Sequence, residues 1–209
     1  MELLGALMQE GAVEVAGGRA EVARVTLPPT LRLTILRRVS FLPGATLQAL
    51  RDASILGSVF SLTDLAVVTG RPAVALSVAL AEAIRAGVLA DDGTRLRFRH
   101  DLIRDALYED LAHSVRRALH REAGQRLAQS GAPAPQVAGH LARAATPGDA
   151  EAIGWLTRAG REATGTSPAV AADLLGQAIG LMDRADPGRD RLLTSIPGQV
   201  IELRFSRAW

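Results

Sequence analysis

Residues 61–98 read SLTDLAVVTGRPAVALSVALAEAIRAGVLADDGTRLRF, and the fold turns on how they are punctuated. Ser61 opens the stretch as an N-cap, with Asp64 three residues on in a variant of the capping box. Gly70 stands where a left-handed residue ends the short helix so begun. Pro72 sits where a first helical turn accepts proline. A longer helix is expected from there to Ala86, ended by Gly87. Val88–Ala90 and Arg95–Phe98 then flank the turn Asp91-Asp92-Gly93, a signal for a two-stranded hairpin. Just upstream, a helix over Ala45–Leu56 ends at Gly57. Three helices followed by a hairpin is the order of a winged helix. Ala66, Gly70 and Leu76 supply the small residue, turn glycine and apolar anchor of a helix-turn-helix.

Toward the N-terminus, Met1–Gln9 reads as a short amphipathic helix carrying Leu3, Leu4 and Leu7 on one side. Gly17-Gly18 between valine-bearing runs predicts a small hairpin. After Pro28-Pro29, Thr30 is the expected N-cap of a helix from Leu31 to about Ser40, with Leu31, Ile35, Leu36 and Val39 as its apolar stripe. Toward the C-terminus the chain is helical: His100–Leu111, His113–Ser130, Pro135–Ala145, Asp149–Thr164, Pro168–Met182 and a short piece near Arg189–Leu193, separated by Gly/Pro breaks. Such helix pairs build solenoids. Trp155, Ala159, Ala171, Leu175 and Ala178 match one tetratricopeptide-like unit loosely, with Arg158 and Glu162 where the pattern has Leu and Tyr. From Ser195 to Trp209 the helical rhythm gives way to a strand-like tail.

The chain has 209 residues, 48% of them hydrophobic and only 3% aromatic, so Ala, Leu, Val and Ile must fill the core. All 24 of its Lys/Arg cations are arginine, against 22 acidic residues, for a net charge of +2. That is no polybasic chain. With no cysteine there is no disulfide framework, no thiolate zinc site and no thiol nucleophile. With no lysine there is no P-loop lysine and no Schiff base. The N-terminus has no basic segment ahead of an apolar stretch, and no apolar run nears the length of a membrane span. A cytoplasmic protein with no membrane partner is expected.

The candidate chemistry is sparse. In the would-be recognition helix, Pro72–Leu80, only Ser77 can hydrogen-bond to a base edge, which argues against direct DNA binding. The hairpin strand puts Arg95, Arg97 and Arg99 on one face, where with Arg71 they are candidate phosphate or DNA contacts, or else a solvated edge. Arg116, Arg117, His120 and Arg121 form a second basic set, read as a solvated helix face rather than an anion site. Asp101, Asp105 and Glu109 share a helix face and read as salt-bridged rather than hydrolytic. The histidines His100, His113, His120 and His140 show no metal-ligand spacing. No Gly-x-Ser-x-Gly elbow is present. His100-Asp101 opens a helix, and a histidine beside a helix N-terminus can donate to a phosphate bound there.

The run Leu96-Arg97-Phe98-Arg99-His100-Asp101-Leu102-Ile103-Arg104-Asp105-Ala106-Leu107-Tyr108-Glu109-Asp110-Leu111 resembles the segment after the ATPase core in large LuxR-type transcriptional regulators. These are similar to the maltose-regulon activator and are signal-transducing ATPases with numerous domains. Arg116–Arg121, Val137–Leu141 and Trp155-Leu156 are also similar, as are Glu2–Leu4 and Leu31–Leu42 to the end of the ATPase module. The resemblance spans about 1–193. It implies the end of an ATPase-module lid at 1–26, a winged-helix domain at 27–99, a helical repeat-like region at 100–193 and a divergent tail at 194–209. It implies that His100 and Asp101 match the end of a Met-His-Asp motif whose histidine senses the β-phosphate of ADP. The chain has neither Walker motif and no recognisable LuxR helix-turn-helix.

The reading is a mainly α chain, a winged-helix module followed by a tetratricopeptide-like array, and not itself an enzyme. It would be the regulatory middle of an ATP-dependent regulator, using ATP or ADP only together with an ATPase core. Its partners would be that core, a LuxR DNA-binding domain and an inducer or protein on the array. The alternative is a free-standing winged-helix DNA-binding protein.

Overall fold

The computed structural model describes residues 14–16, 19–21 and 27–195. The chain is mainly helical. Strands β1 (Glu14–Ala16) and β2 (Arg19–Glu21) pair antiparallel, with Val15 opposite Ala20. The expected helix over Met1–Gln9 and the strand-like stretch beyond Ser195 lie outside the described residues. The remainder forms two compact units. One holds the described residues up to Val59 together with Ser77–Asp110; the other holds Phe60–Leu76 and everything described from Leu111 on.

In the first unit, α1 (Pro29–Val39) begins one residue before the expected cap. Pro29 carries the helical φ by ring closure and needs no N–H at the first position. Thr30 therefore lies inside the helix, where its carbonyl accepts from Thr34 Oγ1. Helix α2 (Gly44–Leu56) buries Ala49, Leu50, Ala53 and Ile55, and ends at Gly57, whose φ of 117° a side chain would resist. Its one buried hydroxyl near the start, Thr46, donates to Glu82 at 2.8 Å. That bond ties α2 to α4 (Ala73–Arg85). Strand β3 (Val59–Phe60), β4 (Leu89–Asp91) and β5 (Leu96–Phe98) form a three-stranded sheet in the order β3-β5-β4. In the hairpin, Leu89 faces Phe98 and Ala90 faces Arg97. Asp92 closes the turn by accepting from the backbone of Thr94 and Arg95, and Gly93 takes φ 91°. These backbone donors hold the Asp92 carboxyl below the usual range. Helix α5 (Asp101–Asp110) then packs on α1 and α2, burying Ala106 and Leu107.

In the second unit, α3 (Leu62–Thr69) starts as expected: Ser61 Oγ accepts from the N–H of Asp64. It ends at Gly70 with φ 64°. Helix α3 packs against α6 (His113–Gln129). Helices α6 and α7 (Ala134–Ala144) form one antiparallel pair, α8 (Ala150–Ala163) and α9 (Pro168–Leu181) a second, and α10 (Pro187–Ser195) follows on α9.

The two pairs are built on the same contact. A Cβ on Gly124 would lie 2.6 Å from Leu141 Cδ2, and a Cβ on Gly160 would lie 2.6 Å from Leu175 Cγ and 2.7 Å from its Cδ2. In both pairs the leucine backbone N is 3.4 Å away. Each glycine thus lets the second helix of its pair approach until leucine covers bare backbone. Around these contacts Leu127, Val137 and Ala152 form one apolar cluster, and Leu156, Ala159, Ala178 and Ile179 belong to the next. Burial of each leucine side chain contributes about 1.5–3 kcal/mol. In a core short of aromatics, such tight seams replace ring area.

Candidate functional site

The first unit contains a groove of about 490 Å³. Leu31, Ile35 and Val39 of α1 form one wall, at the i, i+4 and i+8 positions of the apolar stripe. Leu102 and Ile103, in the first turn of α5, form another. The α4–β4 turn, through Gly87 and Val88, closes the groove, and Phe41, 69% exposed, stands at its edge. Three polar residues complete the lining: Arg38, Arg99 and His100. No carboxylate lines the groove. Gly87 has φ 73°, and Arg99 Nε lies 3.9 Å from where its Cβ would be. The positive φ, rather than the space beside the arginine, is what favours glycine at position 87.

The backbone explains how two adjacent side chains reach this place. Arg99 N–H donates to Val88 O, carrying the hairpin pairing one residue past β5. Ile103 N–H then donates to His100 O, which starts α5. Arg99 and His100 thus stand where the chain turns from strand to helix, and both are exposed. Asp101 is the first residue of α5 and is not part of the groove lining.

Arg95, Arg97 and Arg99 are all exposed while Leu96 and Phe98 are buried, so the alternation puts the arginines on one face. Their strand is the middle one of three, not an edge, so they stand on an open sheet face rather than guarding unpaired backbone. Arg71 belongs to the other compact unit; its N–H donates to Thr69 Oγ1. Helix α4 carries Val74 and Val78 exposed, 77% and 72%, in place of amide or guanidinium groups.

The remaining charged sets are structural. Asp105 pairs with Arg104 at 2.9 Å, Asp110 with Arg51 at 3.0 Å, and Glu109 with Arg32 at 3.9 Å, as the salt-bridged reading of that face expects. On α6, Arg117 donates to Ala144 O, and Arg121 pairs with Asp149 and Glu151. The fourth member of that basic set is misplaced by the sequence reading. His120 is 1% exposed and its Nδ1 lies 3.0 Å from Nδ1 of His140, itself 5% exposed. The solvated face of α6 is carried by Ala118, Glu122, Gln125 and Gln129, whereas His120 lies on the opposite side with buried Ala123 and Leu127, against α3 and α7. The pair joins two helices, so the residue spacing along either one does not reveal it.

Among the described residues no group of three or more His, Asp or Glu is placed to hold a metal ion. No helix among them is long and apolar enough to cross a membrane. No protein-family model, no curated protein and no solved structure matches the chain.

Proposed function

We propose that the chain is a regulatory and scaffolding segment of an ATP-dependent LuxR-type transcriptional regulator. In this reading α2, α3, α4 and the β4–β5 hairpin are its winged helix, and the α6–α7 and α8–α9 pairs are tetratricopeptide-like units that meet an inducer or partner. The observation that carries it is the exposed His100 beside Arg99 at the strand-to-helix junction, in a groove whose polar lining also includes Arg38 and no carboxylate. Such a set suits a phosphate. An ATPase core supplied elsewhere would hold the nucleotide, and His100 would report its diphosphate state. The repeated glycine–leucine seam supports the repeat part of the reading.

The test is His100→Ala in a regulator that joins this segment to its ATPase core. ADP should dissociate several-fold faster, and transcription should rise without inducer. Unchanged ADP affinity together with unchanged transcription would sink the reading.

A second reading, a winged-helix DNA-binding protein, is favoured by one observation: the three exposed arginines on the open sheet face. Phosphate contacts make affinity fall steeply with salt. The exposed valines of α4 weigh against base readout, and anisotropy with duplex DNA at low and moderate salt decides. No binding is expected. Salt-dependent binding lost in Arg97→Gln would promote the second reading.

A further inference from the structure

We propose that the groove between α1 and α5 binds a small amphiphilic acid, an apolar body ending in a carboxylate, as an effector of this chain. This goes beyond the nucleotide reading, because a diphosphate uses the cationic groups and leaves the long apolar walls unexplained. Those walls are substantial: Leu31, Ile35 and Val39 on one side, Leu102 and Ile103 on the other. The volume of about 490 Å³ lies within the range of small-molecule sites, which are mostly apolar with a few convergent polar groups. The charge complementarity is one-sided. Every polar side chain in the lining is an arginine or a histidine, and no carboxylate of the lining competes for them. A cationic or neutral apolar ligand would gain from the walls alone, and a free polyphosphate from the arginines alone. Only an apolar acid uses both.

Apolar material at the rim is also more than folding requires. Phe41 is 69% exposed and Leu102 is 41% exposed. Two such exposed side chains in the lining of a groove mark a surface that gains by being covered. The occupant is a small acid rather than a protein helix. The groove runs along α1 from Leu31 to Val39 but meets only the first turn of α5, and the cations lie within its lining rather than along a flanking surface.

The test uses the intact chain and no nucleotide. Decanoate, decanol and ADP are each titrated against bound anilinonaphthalene sulfonate, whose apolar rings and sulfonate mimic the ligand class. Decanoate should displace the dye, decanol should do so at least tenfold less well, and ADP should not. Arg38→Gln and Arg99→Gln should each weaken decanoate about tenfold while leaving decanol unchanged, as loss of one charged hydrogen bond requires. Both sites are exposed, so the circular dichroism spectrum should be unaltered. Phe41→Ala should weaken decanoate and decanol alike. Failure of decanoate to displace the dye, equal displacement by decanol, or affinity unmoved by both arginine variants would each overturn the proposal. Displacement by ADP without decanoate would overturn it too, while favouring the phosphate reading. The His100→Ala result in a core-containing regulator bears on that reading alone.

Discussion

His120 and His140 share a hydrogen bond between their Nδ1 atoms, 3.0 Å apart, in the seam between α6 and α7. Two facing nitrogens need one proton between them, so one ring donates and the other accepts. Burial pushes His140 down to about 4; the positive charge of Arg143 on its own helix adds to this, and Asp64 of α3 opposes it. An unfolded histidine titrates near 6.5. Because the folded value is depressed, the stabilisation is complete above about 6.5. It is lost as pH falls from there to about 4, where both states are protonated. The loss over that window is roughly 3 kcal/mol. Denaturant unfolding from pH 8 to 4 should show it, and His140→Gln, which can hydrogen-bond but not titrate, should flatten the slope. An equally steep slope in the variant would assign the acid sensitivity elsewhere.

The glycines separate by what lies above them. Gly124→Ala and Gly160→Ala would each push a methyl group to 2.6 Å from a side-chain carbon of a buried leucine with backbone N behind it. Overpacking of that kind costs about 1–3 kcal/mol, more than alanine gains in helix propensity. Gly154 and Gly180 lie in the same two helices as the second seam, exposed, with nothing within 4 Å of the added carbon. Gly154→Ala and Gly180→Ala should stabilise by about 0.5–1 kcal/mol each. Urea midpoints of the four variants should therefore split into two pairs of opposite sign. If all four moved together, the shared seam would have no energetic meaning.

Most of the helices and the hairpin were legible because glycine punctuates them. Gly57, Gly70, Gly87 and Gly93 all take positive φ, which other residues resist, so their positions alone mark ends and turns. Proline was read less well at α1, where Pro29 rather than Thr30 sets the start. The groove was half legible. His100 and Arg99 were singled out, but Arg38 and the apolar walls come from α1, some 60 residues earlier, and meet them only in the fold. The histidine pair left a weaker trace. His140 sits three residues from buried Val137 and four from buried Ala144, a spacing that belongs to a core face. The equivalence of Gly124 and Gly160 is carried by backbone closeness, which no side-chain pattern announces.

Arginine does a second job in this chain: it serves helix C-termini. Arg104 Nε donates to Ser54 O near the end of α2, Arg117 to Ala144 O at the end of α7, and Arg189 to Ile179 O near the end of α9. The planar fork reaches a carbonyl while a second nitrogen remains for a carboxylate, which an ammonium does poorly. Arg104 illustrates this, pairing with Asp105 while its guanidinium lies 4.5 Å from the ring centroid of Tyr108. Arg104→Ala should lower stability by about 2 kcal/mol, and Arg104→Lys by about half as much, since charge is kept but the fork is lost. Thermal unfolding of the two variants checks the order. Lysine as good as arginine would show that charge alone matters.

Asp149 joins two devices in one side chain. As N-cap of α8 it accepts from the N–H of Ala152 at 3.1 Å, and it also pairs with Arg121 of α6. The side chain is only 9% exposed. The Arg121 guanidinium, with the Ala152 N–H, holds its carboxyl below the usual range. A depressed carboxylate stabilises fully above the unfolded value near 3.9 and is lost as pH falls through the folded one. This acid step lies below the histidine window, so the two separate on one pH axis. Asp149→Ala removes cap and charge and should cost about 2 kcal/mol at neutral pH. Asp149→Asn keeps a good cap and should cost about half of that. As pH falls through the depressed titration of the native carboxyl, wild type and Asp149→Asn should converge. If the gap between them persisted there, the stabilisation would come from packing rather than from the charge that Arg121 meets.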